Sequence, residues 1–462
     1  MRASNVDKQT VEGEEAVRLC NYVDVYKNDC IRPGMSFMRA TATKNEISRF
    51  RLIAGDVLIT KDSEAWDDIG VPALVVESAD DLVCGYHLAL LRPFPMVMTG
   101  GFLFRASQSQ GVQYQFHVEA NGVTRYGLSH SAIKSVSLPV PPLTEQAAIV
   151  RFLDYVDRRV HRYIRAKQEL IKLLEEQKRA IIHQAVIGQI DVRTGKPYAA
   201  YRDSGVEWLD QVPGHWSVVR LKNLVCGITS GSRGWSGFAA NEGALFIRIA
   251  NLARTSIILR FDDVVRLQLP AAVLSGEARR TRVQAGDVLL SITAYIGSVG
   301  VVPEGLDEAY VSQHVACCRP RQGVVAPKWL GYVLLSPVGQ IHGQLSMYGG
   351  TKQGLSLDDV KNYLVLVPPV EEQALLVELI EKECASIDHA INEERRVVAL
   401  LREYRTRLIA DVVTGKLDVR EVAASLPNEI DAGDLFEEDS LIADEDLAEE
   451  IAEEAALEEV DA

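Results

Sequence analysis

The chain has 462 residues, with 49 basic and 64 acidic side chains and a formal net charge of −15. At roughly 100–200 residues per domain, that length exceeds one ordinary core and points to two to four units. Taken whole, the charge disfavours a nucleic-acid binder, because phosphate contacts need a basic surface. With 47% apolar and 24% charged residues, a wholly disordered chain is excluded.

The opening stretch MRASNVDKQT holds no apolar signal core. No segment approaches the roughly 18 uninterrupted apolar residues of a membrane span. The expectation is a cytoplasmic protein with no membrane partner. The seven cysteines include no C-x-x-C pair and the nine histidines no H-E-x-x-H, which suits a reducing compartment and no metal site.

Residues 1–142 read as a first globular domain of mixed strands and helices. Its short apolar runs, such as Asp56-Val57-Leu58-Ile59, are broken by Gly, Pro and Asp. Pro141-Pro142 forces extended backbone and ends that domain. A long helix is expected next, within a helix-and-connector segment 143–200. Glu145 sits in its first turn, near the positive end of the dipole, and Gly188 stands at its stop. Such a helix has about 43 residues and a length of about 65 Å. It needs a partner helix, since helices gain most of their stability from packing.

Apolar residues recur in steps of seven at Leu153, Val160, Leu174 and Ile181, with a companion row at Val156, Tyr163 and Leu170. Residues 201–369 read as a second globular domain and 370–420 as a second long helix. Its rows are Ile380, Ile387, Leu401 and Leu408, and Ala390, Val397 and Tyr404. Residues 421–462 hold 17 acids and no Lys or Arg, an expected solvated and mostly disordered tail with a short helix within 444–460. Without that tail the body carries two more basic than acidic side chains.

The strongest signal is an internal repeat. Residues 138–193 align without a gap on 365–420 at an offset of 227, with 17 identities in 56 positions. The globular segments also match weakly. Gly55-Asp56-Val57-Leu58 parallels Gly286-Asp287-Val288-Leu289, Tyr86-His87 parallels Gln313-His314, and 122–129 parallels 349–356. The chain therefore reads domain, helix, domain, helix, tail. Antiparallel helices would hold two different readers at a fixed spacing, which suits two half-sites on one long partner such as DNA.

The doubled pattern P-P-x-x-E-Q, long helix, A-V-x-G-x-I-D-V-R resembles the specificity subunit of type I restriction–modification systems. The first copy is carried by Pro141, Pro142, Glu145, Gln146, Ala185, Val186, Gly188, Ile190, Asp191, Val192 and Arg193. The second is carried by Pro368, Pro369, Glu372, Gln373, Val413, Gly415, Lys416, Leu417, Asp418, Val419 and Arg420. The resemblance implies an α+β fold, with two α/β target recognition domains separated by two long antiparallel coiled-coil helices in a pseudo-twofold repeat. It implies a subunit that reads a two-part, interrupted target in double-stranded DNA. Two methyltransferase (modification) subunits would dock on it, and restriction (motor–nuclease) subunits would join them. S-adenosylmethionine, ATP and magnesium would belong to those partners, and this chain would catalyse nothing. Glu145, Gln146, Glu372 and Gln373 are the candidate partner contacts. The alternative is a degenerate scaffold that docks methyltransferase without reading DNA.

Gly195-Lys196 and Gly415-Lys416 are followed by Pro197 and Leu417, so neither completes a phosphate loop. The cluster Asp56, Lys61, Asp62, Glu64, Asp67 and Asp68 reads as a strand and polar turn rather than a magnesium site.

Candidate DNA contacts follow from residue type on polar, Gly-rich loops. In the first domain they are Arg39, Thr41, Lys44, Lys61, Thr124 and Arg125, with Gln108, Gln110, Gln113 and Gln115 beside them. In the second they are Arg233, Arg279, Arg280, Thr351, Lys352 and Gln353. Trp235 fits either a stacking residue or the core. Aligning Asn21 with Asn251 leaves 203–230 without a first-domain counterpart; the resemblance implies an early strand and a basic loop in that stretch, which the first domain is therefore expected to lack.

Overall fold

The computed structural model describes residues 1–276, 278–346 and 354–427. It divides into two compact units, one of Met1–Gln168 with 396–427, the other of Glu169–Arg395. The division cuts both long helices, Leu143–Val186 and Val370–Val413, because each half-helix packs on the globular part beside it.

In the first unit a five-stranded sheet runs in the order Arg2–Ala3, Leu88–Leu91, Val57–Thr60, Pro72–Val75, Cys30–Ile31. Val57–Thr60 is buried along its whole length, as the apolar run predicts for a strand covered on both faces. A three-stranded sheet places Glu15–Cys20 between Met38–Ala42 and Leu82–Cys84. Helices Gly100–Gln108 and Gln110–Glu119 follow, and Phe102, Phe104 and Phe116 join the core. Ile149 and Leu153 from the start of one long helix share that core with Ile409, Val412 and Val413 from the end of the other. The two half-helices are therefore antiparallel here.

The second unit repeats the plan. One sheet has the order Val225–Ser230, Val315–Pro320, Val288–Ser291, Val299–Val301, and another the order Ala239–Ala240, Val265–Leu267, Ala244–Ile247, Ala309–Val311. The parallel pair Leu19↔Val83 of the first unit returns as Phe246↔Tyr310, 227 residues on. Buried Asp56, held by two hydrogen bonds from Arg92, returns as Asp287 held by Arg319. Strand Ser217–Arg220 pairs with Leu364–Val367, and Trp216 meets Trp329 edge to face at 5.8 Å. Lys178–Asp388 (2.5 Å) and Arg395–Glu175 (3.0 Å) show that the half-helices are antiparallel in this unit too.

Both long helices stop as the glycines require. Gly188 and Gly415 take φ of +68° and +73°, and a Cβ on Gly188 would meet Pro213 Cγ at 2.4 Å. The coiled-coil seam is narrower than the two rows predict. Leu153, Val160, Ile380 and Ile387 are buried, but Tyr163 and Tyr404 are 53% and 52% exposed. The acidic tail does not begin disordered, because a helix Arg420–Ser425 buries Ala423. The expected helix within 444–460 lies outside the described residues. No helix among the described residues is long and apolar enough to cross a membrane.

Candidate nucleic-acid interface

Each globular part is fastened to its helix by the same joint. In the first unit Gln146 accepts from Thr99 N (2.9 Å) and donates to the carbonyls of Val97 (2.9 Å) and Pro141 (2.8 Å). In the second, Gln373 accepts from Ala326 N (2.7 Å) and donates to Val324 (3.2 Å) and Pro368 (2.9 Å). Every partner is shifted by 227. Both glutamines are fully buried with these partners, as a buried amide must be.

Glu372 is enclosed as well. It accepts from Tyr198 Oη (2.5 Å), His215 Nε2 (2.8 Å) and Trp216 Nε1 (3.1 Å). Burial pushes its carboxyl up, but these donors outweigh burial and hold it below the usual carboxylate range. This corrects the expectation that Gln146, Glu372 and Gln373 face a partner, since their polar atoms are spent inside their own units. Glu145 is half-buried and lies in the field of Arg420.

The first-unit DNA candidates fall into two groups. Arg39 and Lys44 are exposed on strand Met38–Ala42 and the start of helix Lys44–Phe50. Thr41 between them is committed, its hydroxyl donating to Glu14 and accepting from Val11 N, both at 2.8 Å. The second group shares one small sheet. Thr124 and Arg125 are exposed at the tip of the hairpin Asn121–Gly122/Tyr126–Gly127, whose second strand pairs with Asp62–Ser63 beside Lys61. Lys61 Nζ lies 3.0 Å from Asp62, which also accepts from His87 at 2.7 Å.

The glutamines suggested as readers are largely occupied within the unit. Gln113 and Gln115 donate to backbone carbonyls, and Gln108 to Asp29. The acidic cluster disperses too, with Asp56 on Arg92, Asp62 on Lys61 and Asp68 on Tyr26. Among the described residues no three His, Cys, Asp or Glu are grouped to hold a metal.

In the second unit Arg233 is exposed on the turn after strand Val225–Ser230. Arg279 and Arg280 are exposed on helix Ala278–Thr281, which Thr229 Oγ1 ties to that strand through the Arg280 carbonyl (3.3 Å). The structure thus brings these three arginines to neighbouring elements. Trp235 is a core residue, buried edge to face on Tyr310 at 5.6 Å. Thr351, Lys352 and Gln353 lie outside the described residues.

One feature was not marked by any sequence pattern. Ser232, Gly234, Trp235, Phe246, Arg248, Ser312 and Gln313 are among the residues lining a cavity of about 170 Å³ beside the Arg233 turn. Its members come from four separate segments, so only the Gly-Ser loop 230–234 was legible as a candidate.

The model of the type I restriction modification DNA specificity domain matches residues 26–173 and 273–394, more than half of the chain. The chain therefore belongs to the type I restriction–modification specificity-subunit family. Among its relatives, the EcoBI specificity subunit of Escherichia coli is 24% identical over 308 residues, 65% of this chain and 62% of the relative, so this match spans less than two thirds of the relative's length. The putative MjaX specificity subunit of Methanocaldococcus jannaschii is 22% identical over 82% of both chains. A solved chain from work on complex assembly and conformational transition of the type I R-M system shares the fold. Its TM-score is 0.55 at 21% identity, covering 79% of this chain and 83% of that one.

Proposed function

We propose that this chain is the DNA-reading subunit of a type I restriction–modification complex. Each globular domain reads one half of an interrupted double-stranded target, and the long helices set the gap. The observation that carries this reading is the duplicated joint. The same three glutamine hydrogen bonds, 227 residues apart, mount two domains with different loops on the same kind of helix. Two unlike readers on like mounts suit a two-part target. Phosphate contacts come from exposed Arg39, Lys44, Arg125, Arg233, Arg279 and Arg280, and from Lys61 beside the Arg125 hairpin.

In this reading two methyltransferase subunits dock along the helices, where Tyr163, Leu400 and Tyr404 leave large apolar side chains exposed. Restriction subunits join that assembly. The chemistry, with S-adenosylmethionine, ATP and magnesium, belongs to the partners, as specificity subunits are in general not catalysts. The chain acts in the cytoplasm, beside the host DNA.

The test is genome-wide mapping of methylated adenines in cells carrying this chain with its methyltransferase. The reading predicts one motif in two parts separated by a fixed unspecified gap. An uninterrupted motif, or methylation unchanged when this chain is deleted, contradicts it.

A further inference from the structure

We propose that the second unit holds a pocket for one nucleobase turned out of the target duplex, walled by Trp235 and Phe246 and read by Arg248, Ser312 and Gln313. The proposal rests on the DNA-reading role above and adds a specific site to it.

The cavity of about 170 Å³ opens beside Ser232, Gly234 and Ser236 on the Arg233 turn. Three polar atoms at this cavity's residues, Arg248 Nε, Ser312 Oγ and Gln313 Oε1, are buried without a hydrogen-bond partner among the described residues. Ser312 is only 5% exposed. A native fold leaves few such atoms, and these three belong to residues that line one small cavity. The space exceeds that of a single water, whose share of liquid volume is about 30 Å³. Trp235 and Phe246 give it an aromatic wall.

The polar set is held rigidly. Gly231 N donates to Ser312 O (3.1 Å) and Ser312 N to Ile247 O (2.9 Å). A Cβ on Gly231 would sit 2.0 Å from Val311 O, so the loop lies directly on this segment. Gln313 Nε2 is on His314 Nε2 (2.9 Å), which leaves its Oε1 as a fixed acceptor. Arg248 Nη2 is on Asp263 (2.5 Å), which leaves Nε–H as a fixed donor. A donor, an acceptor and a hydroxyl that serves as either match the mixed edge of a nucleobase.

A base inside a stacked duplex cannot enter a cavity, whereas a base turned outward can. The first unit carries different residues at the matching positions. At the matching offset Ser312 becomes Gly85 and Gln313 becomes Tyr86, whose ring lies on His87 at 3.6 Å. The proposed reading pair Ser312 and Gln313 therefore belongs to one half-site only.

The test maps methylated adenines in cells carrying the full complex, with the wild-type chain and with Ser312→Val plus Gln313→Leu. Loss of roughly tenfold preference at one position of one half-motif is expected, with the other half and the gap unchanged. With 2-aminopurine at that position, wild-type complex should raise its fluorescence on binding. Full preference at every position in the double variant, or a probe that stays quenched, overturns the pocket. If the double variant methylates nothing, the isosteric Gln313→Glu decides, since an unchanged preference there overturns the pocket equally. A wild-type complex without a two-part motif would instead bring down the DNA-reading role on which the pocket depends.

Discussion

The feet of the two long helices carry the same Glu-Gln pair, yet they are finished differently. At the second, Gln373 fastens the domain, and Glu372 gathers Tyr198, His215 and Trp216 from the segment that follows the other helix. At the first, Gln146 makes the matching bonds, while Glu145 stays half-exposed. The neighbouring strand differs as well. Leu364–Val367 pairs with Ser217–Arg220, whereas residues 137–140 form no strand and Val140 is 54% exposed. The Gln and Glu of the motif thus have separable jobs. One mounts the domain on its helix, and the other closes a cage where a covering segment is present.

The first unit has a different bond in its interior. Arg105 is buried on Asp157 and Asp154, and Arg405 reaches both Asp157 and Asp29. At the 227 offset Asp157 becomes Cys384 and Arg405 is matched by Lys178. One unit is therefore locked by an ion network, and the other by a carboxylate cage.

The largest expected effect is that of Asp157→Ala, which takes the shared carboxylate from both guanidinium groups and leaves Arg105 on Asp154 and Arg405 on Asp29. Breaking a buried pair in this way costs about 3–5 kcal/mol. Hydrogen exchange should show the loss confined to the first unit. Protection lost equally in both units would break the comparison.

A smaller split is expected at the helix feet. Glu372→Gln should cost about 1–3 kcal/mol by leaving buried donors poorly matched. Glu145→Gln should stay within about 0.5 kcal/mol, as surface changes usually do. Denaturant unfolding of the two variants side by side measures this, and equal losses would mean that the feet are equivalent after all.

The pH dependence is shared by both devices. Burial pushes the Asp157 carboxyl up, but Arg105 and Arg405 outweigh burial and hold it below its ordinary value, and Glu372 is likewise lowered. A depressed folded value means that each contribution is complete above the ordinary carboxylate range and is lost as pH falls through the lowered value. Stability should therefore drop below about pH 4. Removing either carboxyl should flatten the acid limb, and an unaltered limb in both Asp157→Asn and Glu372→Gln would contradict the assignment.

Much of the architecture was legible because it is local or repeated. Pro141-Pro142 and Gly188 mark one helix, Pro368-Pro369 and Gly415 the other, and the 227-residue offset links them. The use of each motif residue was not legible. A glutamine in a first turn looks the same whether it faces solvent or binds a strap 47 residues upstream, as Gln146 does. Heptad spacing put Tyr163 and Tyr404 in the seam, yet both face outward, because a single stripe suffices where each half-helix also packs on its own domain. The cavity at Ser312 joins four segments spread over residues 232–314, so no short window of sequence contains it.

The central claim is that two unlike readers are held at a spacing set by the helix pair. Its most direct test inserts four residues after Gln168 and a matching four after Arg395, keeping the antiparallel pairing in step. At 1.5 Å per residue this adds about 6 Å of helix, or roughly one to two base-pair steps of about 3.4 Å. Methylation mapping should return the same two half-motifs with a gap longer by a whole number of base pairs. An active complex that keeps the original gap would contradict the account.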